Sequence, residues 1–152
     1  GHFEKRNRRI ASDDIERVYN LFKGHTYYVQ KTFNEAFADT PEGEECTFET
    51  LRAAIDNMVA SNDTIFREIL SNIPEKQKEL LYAIAKEGEA ERITSAAFIK
   101  RHSLASASSV QSAMKKLLEK DIITEINKVF SVTDKLFAMW MNRMYGNKNY
   151  LK

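Results

Sequence analysis

Polar and basic side chains recur along one predicted helix, residues 106–120, where they could hydrogen-bond to nucleic acid. Glutamine can bond an adenine edge, and short serines near a helix start allow close approach to a groove. Lysine and arginine would meet phosphates. The outward residues of this helix are Ser108, Ser109, Gln111, Ser112, Lys115 and Lys116. Lys100 and Arg101, on the preceding helix, and Lys128, at a later turn, complete the candidate DNA contacts.

Other features of the same region disfavour DNA. The helix carries no arginine, although arginine on guanine is the commonest specific contact. Glu119 and Glu125 lie nearby and would repel phosphate. Serines at a helix start are also ordinary caps. The residues therefore leave open whether this surface contacts DNA or protein.

The residue types needed for catalysis or metal binding are not grouped in this chain. None of the five glycines begins a GxxxxGK[ST] phosphate loop. His2, His25, His102 and Cys46 are scattered, with no CxxC or HxxxH spacing. Cys46 follows an acidic loop, so we expect a raised thiol pKa and low reactivity. We expect no catalytic, cofactor or metal site, and no enzymatic activity.

The elements that would position the candidate contacts occur in the order helix, helix, helix, hairpin, helix. Pro74 suits a helix start, residues 89–92 read as a polar connection, and Thr94 and Ser106 are expected to cap the next two helices. Asn127 and Lys128 suit a two-residue type I′ turn. This order is typical of a winged helix-turn-helix domain with a two- or three-stranded β wing.

The preceding segment reads as helical throughout. Ser12 is expected to cap a first helix and Thr47 a third, with a break near Asn62. The fold class is therefore mainly α. We expect a helical subdomain over residues 1–73, a winged helix over residues 74–146, and a flexible tail over residues 147–152.

Charge and composition indicate in which cellular compartment the protein is expected. Residues 1–73 carry 9 Lys/Arg and 13 Asp/Glu, whereas residues 74–152 carry 14 and 9. No apolar run approaches the ~18 residues needed to span a bilayer, and the start resembles no signal peptide. A single cysteine fits a reducing compartment. We expect a cytoplasmic protein with no membrane partner, and, since the chain begins at Gly1, a fragment.

Three segments carry a family resemblance. GHTYYVQKTFNEAF (residues 24–37), IPEKQKELLYAIAKEG (73–88) and VFSVTDKLFAMWMNR (129–143) resemble, in this order, the lid and winged helix of archaeal-type P-loop ATPases of the AAA+/STAND group. Thr26 and Lys135 stand where the family commonly has proline. The resemblance implies an upstream ATPase core that binds ATP and Mg, with Lys23, Gly24 and His25 in the lid near the nucleotide.

Three functional hypotheses follow. The leading one is a non-catalytic C-terminal docking module of such an ATPase, which contacts its own core, a protein partner or DNA. The alternative is a stand-alone DNA-binding transcriptional regulator whose helical region dimerises or senses an effector. The third is a protein-interaction domain that forms homo-oligomers or binds a partner through large apolar residues of the last helix. They are among Phe137, Met139, Trp140, Met141 and Met144. We expect most of these five in the core, and, since so many large apolar side chains exceed one helix face, some of them at a contact surface.

Overall fold

The computed structural model describes residues 9–23 and 25–146, which form eight helices and five short strands. The chain divides into two compact units, one that ends at Ser61 and one that begins at Asn62. The predicted fold class, mainly α with a small β wing, is confirmed. Gly24 and the predicted flexible tail over residues 147–152 lie outside the described residues.

The first unit packs three helices beside a minimal parallel strand pair. Its elements are β1 (Arg9–Ile10), α1 (Ser12–Leu21), α2 (Thr26–Asp39), β2 (Glu45–Cys46) and α3 (Phe48–Ser61). β1 pairs with β2, so that Ile10 lies opposite Cys46. Helix α2 packs against both α1 and α3, and the core contains Val18, Phe22, Leu51, Ile55 and Met58.

Two of the three predicted local signals in this unit are confirmed. Thr47 Oγ1 accepts a hydrogen bond from the Thr50 amide at 3.3 Å, and the helices break where expected, between Ser61 and Asp63. The predicted Ser12 cap is wrong, because Ala11 occupies the N-cap position and no side chain caps α1. An extended residue entering from β1 therefore starts the helix one position earlier.

The second unit contains the winged helix. Its elements are α4 (Asp63–Ser71), α5 (Glu75–Glu87), β3 (Ala90–Glu91), α6 (Ala96–Arg101), α7 (Ala107–Glu119), β4 (Ile123–Ile126), β5 (Val129–Val132) and α8 (Lys135–Tyr145). The three strands form an antiparallel sheet in the order β3-β5-β4. Helix α5 is central, because it packs against α7, α8 and β5.

The wing differs from the sequence prediction in one strand and one cap. Asn127 and Lys128 have φ values of 52° and 65°, and two positive values are what a type I′ turn requires. Residues 89–92, expected to be a connection, instead contain β3, whose Ala90 pairs with Phe130. Ser95 rather than Thr94 caps α6, since its Oγ accepts from the Phe98 amide at 3.2 Å.

Helix α4 belongs to the winged-helix unit. The Phe66 ring is buried, with its centroid 5.1 Å from that of Phe137 and 5.8 Å from that of Trp140. Trp140 Nε1 donates to Asp63 Oδ1 at 2.8 Å. The two compact units therefore divide between Ser61 and Asn62, whereas the sequence placed the boundary between residues 73 and 74. The apolar face of α4 needs a partner, and α8 supplies it.

Candidate docking surface of the winged helix

The helix-turn-helix consists of α6, a turn at His102–Ala105 and α7. The Ser106 Oγ accepts from the Ser109 amide at 3.1 Å and so caps α7, as predicted. Val110, Ala113 and Leu117 are buried on the inner face of this helix. Because that face packs against α5 and β4, the opposite face of α7 is presented to solvent.

The predicted outward residues of α7 lie where they were expected, with one exception. Ser109 is only partly exposed, since its position places it at the edge of the inner face. Ser108 is exposed, but its Oγ lies 3.2 Å from that of Ser106 and so takes part in the capping arrangement. The residues that present exposed side chains beyond the cap are Gln111, Ser112, Lys115 and Lys116.

Two of the candidate cations are already in ion pairs. Arg101 Nη1 pairs with Glu87 Oε1, and His102 Nε2 lies 3.1 Å from the same oxygen. The hydrogen bond with His102, with a smaller contribution from Arg101, lowers the pKa of Glu87 against the opposing effect of burial. Lys116 Nζ lies 3.6 Å from Glu119 Oε2. These pairs reduce the positive charge that this surface can offer to a phosphate.

The remaining candidate cations are not paired within the described part of the chain. They are Lys100 on α6, Lys115 on α7 and Lys128 at the hairpin turn, and all three are exposed. They come from three separate elements. The structure therefore spreads the available positive charge over the surface instead of concentrating it on α7.

A groove of about 510 Å³ lies between α7 and the β4–β5 hairpin. We call it the helix–hairpin groove. Its apolar lining comes from Ile93, Met114 and Phe130, and its polar lining comes from Glu91, Arg92, Thr94, Gln111, Glu125, Asn127 and Lys128. Of the predicted DNA contacts, it brings together only Gln111 and Lys128.

Sequence reasoning missed the β3 side of this groove. Glu91 and Arg92 are exposed, whereas the flanking Ala90 and Ile93 are buried. This pattern of two charged residues between two buried apolar ones was a usable signal for a strand at the surface. The signal was weak, because a strand of two residues is too short to show the alternation of buried and exposed residues that identifies a strand.

The predicted lid residues lie in the other unit, on the connection between α1 and α2. Lys23 and His25 are exposed, and Lys23 has a φ of 51°, which ends α1. Arg17, another basic residue of this region, stacks its guanidinium 3.5 Å from the centroid of the Phe48 ring.

The Cys46 thiol is buried, and burial is the main cause that raises its pKa. Asp14 and Glu45 add to this effect, and a hydrogen bond with Thr40 opposes it. The expected direction is therefore confirmed, although desolvation matters more than the acidic loop. Among the described residues, no group of three or more His, Cys, Asp or Glu side chains is arranged to hold a metal ion.

The large apolar residues of α8 form core. Phe137, Met139, Trp140 and Met141 are buried, and only Met144 of the five is exposed, at 40%. The expectation that most of them are core is therefore confirmed, because α4 and α5 cover them, and of the five only Met144 is left to contribute to a contact surface. None of the described helices combines the length and apolar character that a membrane crossing requires.

A scan against protein-family models matches residues 64–143 to the probable winged helix domain. Searches of curated proteins and of solved structures gave no match. The matched segment begins within α4 and ends within α8, which agrees with the inclusion of α4 in the second unit. It covers just over half of the 152 residues. The chain therefore belongs to the probable winged helix domain family.

Proposed function

We propose that this chain is the non-catalytic C-terminal docking module of a P-loop ATPase, and that its winged helix contacts protein. A winged helix serves contact with DNA or protein. The support for an ATPase parent is the order of the three family-like segments, of which the second forms α5 and the third forms β5 and α8. Under this proposal ATP and Mg belong to the upstream core.

The residues shared with that family have structural roles in the winged helix. Asp134 Oδ1 accepts from the amides of Leu136 at 2.9 Å and Phe137 at 3.2 Å, and so caps α8. Trp140 joins α8 to α4 through its bond to Asp63. These contacts are consistent with a shared architecture of α8, and they leave the outer face of α7 available for docking.

The charges on the outer face of the winged helix favour a protein partner over DNA. Arg101 and Lys116 are neutralised by carboxylates, and Glu91 and Glu125 line the helix–hairpin groove. A duplex presents only negative charge along its backbone, so both of these carboxylates would oppose it. Protein surfaces present both signs of charge and can satisfy both kinds of group.

The upstream coding sequence and an ATPase assay together test the proposal. We expect a GxxxxGK[ST] motif after a strand pattern, and an upstream polypeptide that hydrolyses ATP with Mg. The present chain alone should show background hydrolysis only, and it should bind the upstream polypeptide in calorimetry. Hydrolysis by the chain alone, or an upstream region without a phosphate loop, contradicts the ATPase assignment.

A DNA-binding regulator is the second candidate, favoured by Lys100, Lys115 and Lys128, which form no ion pair with the residues that the structure describes. If these three meet phosphates, the slope of log affinity against log salt is about −2.7, which is roughly a 40-fold loss between 50 and 200 mM salt. Lys100→Ala and Lys115→Ala should each reduce the slope by about one. Lys116→Ala is the matched control, because Lys116 is paired with Glu119.

Duplex titration separates the two candidates. If the winged helix docks on protein, duplex DNA has no measurable affinity at 50 mM salt. A slope of about −2.7 that falls in both lysine variants, but not in the Lys116→Ala control, would make the regulator the better assignment. Residues 12–61 would then be the region to examine for dimerisation or effector binding.

A further inference from the structure

The helix–hairpin groove has an apolar bottom beneath a polar rim. Ile93 and Phe130 are buried, and Met114 is partly exposed beside them. A space of about 510 Å³ is within the range of small binding sites, which are typically apolar with a few placed polar groups. The groove can therefore receive an apolar side chain rather than only water.

The rim carries two carboxylates and two cations that do not pair with one another. Glu91 ends β3 and Arg92 follows it, whereas Glu125 and Lys128 come from the hairpin. None of the four takes part in an ion pair within the part of the chain that the structure describes. Four unpaired charges of both signs around one apolar space are complementary to a ligand that itself carries both signs.

We propose that the helix–hairpin groove binds an extended peptide segment with one apolar side chain between a basic and an acidic residue. The apolar side chain lies against Ile93, Met114 and Phe130. The basic residue meets Glu91 or Glu125, and the acidic residue meets Arg92 or Lys128. This inference rests on the proposed protein-docking function and names the part of the winged helix that performs it.

Nucleic acid fits the same groove poorly. A phosphate placed near Lys128 or Arg92 would share the groove with Glu91 and Glu125, and the carboxylates would repel it. A peptide places its acidic and basic groups separately, so that each meets an opposite charge. Burial of an apolar side chain then supplies most of the affinity.

The test is a titration of the full ¹⁵N-labelled chain with a capped pentapeptide, Gly-Lys-Leu-Glu-Gly, followed by NMR. The reversed order, Gly-Glu-Leu-Lys-Gly, is titrated in parallel, since the rim does not fix the direction of the peptide. We expect saturable shifts of groove amides with at least one of the two. Replacement of the peptide leucine by serine should weaken binding at least about tenfold.

Two tryptophan variants on α7 provide the matched comparison. Gln111 lines the groove, whereas the neighbouring Ser112 is exposed outside its lining. Gln111→Trp should block the groove and abolish the shifts, and Ser112→Trp should leave the affinity within about twofold. Glu125→Lys should weaken binding at least several-fold, because it removes one partner of the peptide lysine.

Three results would overturn the groove assignment. They are no groove shifts with either peptide, equal binding of the serine peptide, or a duplex oligonucleotide that shifts the same amides while the peptides do not. The titration contains no ATPase core, so its failure leaves docking through another surface intact. An upstream region without a phosphate loop would remove the ATPase parent and leave the groove result unchanged.

Discussion

Replacement of Phe66 by alanine tests whether α4 is part of the winged-helix unit. Phe66 is 3% exposed and its ring contacts those of Phe137 and Trp140. Ile65, the preceding residue on the same helix, is 55% exposed. Phe66→Ala and Ile65→Ala therefore remove apolar side chains from one helix, one of them inside the core and the other at its surface.

The expected loss for Phe66→Ala is about 4 kcal/mol of unfolding free energy. Core Phe→Ala substitutions cost ~3–5 kcal/mol. Because the substitution also removes two aromatic ring contacts, we expect a cost above the lower end of this range. Ile65→Ala should change the stability by no more than ~0.5 kcal/mol. With a guanidinium m-value of about 3 kcal/mol/M, the midpoint of Phe66→Ala should fall by roughly 1.3 M. Phe66→Leu should be intermediate.

Trp140 makes the assay specific, because it is the chain's single tryptophan and lies in the second unit. Its fluorescence during guanidinium unfolding therefore reports on the winged helix and not on the first unit. If Phe66→Ala moves the Trp140 midpoint no further than Ile65→Ala does, α4 does not stabilise the winged helix. The boundary expected from sequence, between residues 73 and 74, would then be the better description.

Three further predictions concern single groups. The pKa of Glu87 is lowered in the folded state, so its contribution to stability is present above its unfolded pKa of about 4.3 and is lost as the pH falls through the folded pKa. Glu87→Gln should therefore make the unfolding free energy fall less steeply between neutral and acidic pH. An unchanged decrease at acidic pH contradicts this. Lys128 adopts a φ of 65°, so Lys128→Gly should stabilise the hairpin by about 0.5–1 kcal/mol in thermal unfolding while Lys128→Val destabilises it; a less stable glycine variant would refute the strain assigned to this turn. Cys46 is buried and its thiol pKa is raised, so it should react with Ellman's reagent at least about tenfold more slowly in the native chain than in guanidinium; equal rates would show that the thiol is accessible.

Local features of the fold were predictable from sequence because each depends on residues a few positions apart. The Ser106 cap needs only the Ser109 amide, and the type I′ turn needs only two residues that accept positive φ. The order of helices and hairpin follows from apolar periodicity, and it was enough to predict the winged helix and the outward face of α7.

Two features were predicted less well: the choice between two adjacent capping residues, and a strand that depends on a distant partner. Ser95 replaced Thr94 as the cap of α6, since either residue could cap an isolated helix. Strand β3 exists because Ala90 pairs with Phe130 of β5. A two-residue strand has almost no pattern of its own, and its conformation is imposed by the partner.

The sequence by itself determined the helices, the hairpin turn and the composition of the α7 surface, all of which arise from short-range capping, turn and periodicity rules. Tertiary structure alone decided that Phe66 packs α4 onto α8, that Glu87 pairs with Arg101, and that Glu91 and Glu125 both line one groove. These outcomes join residues far apart in the chain, where the gain from packing and charge pairing depends on a geometry that no local pattern encodes.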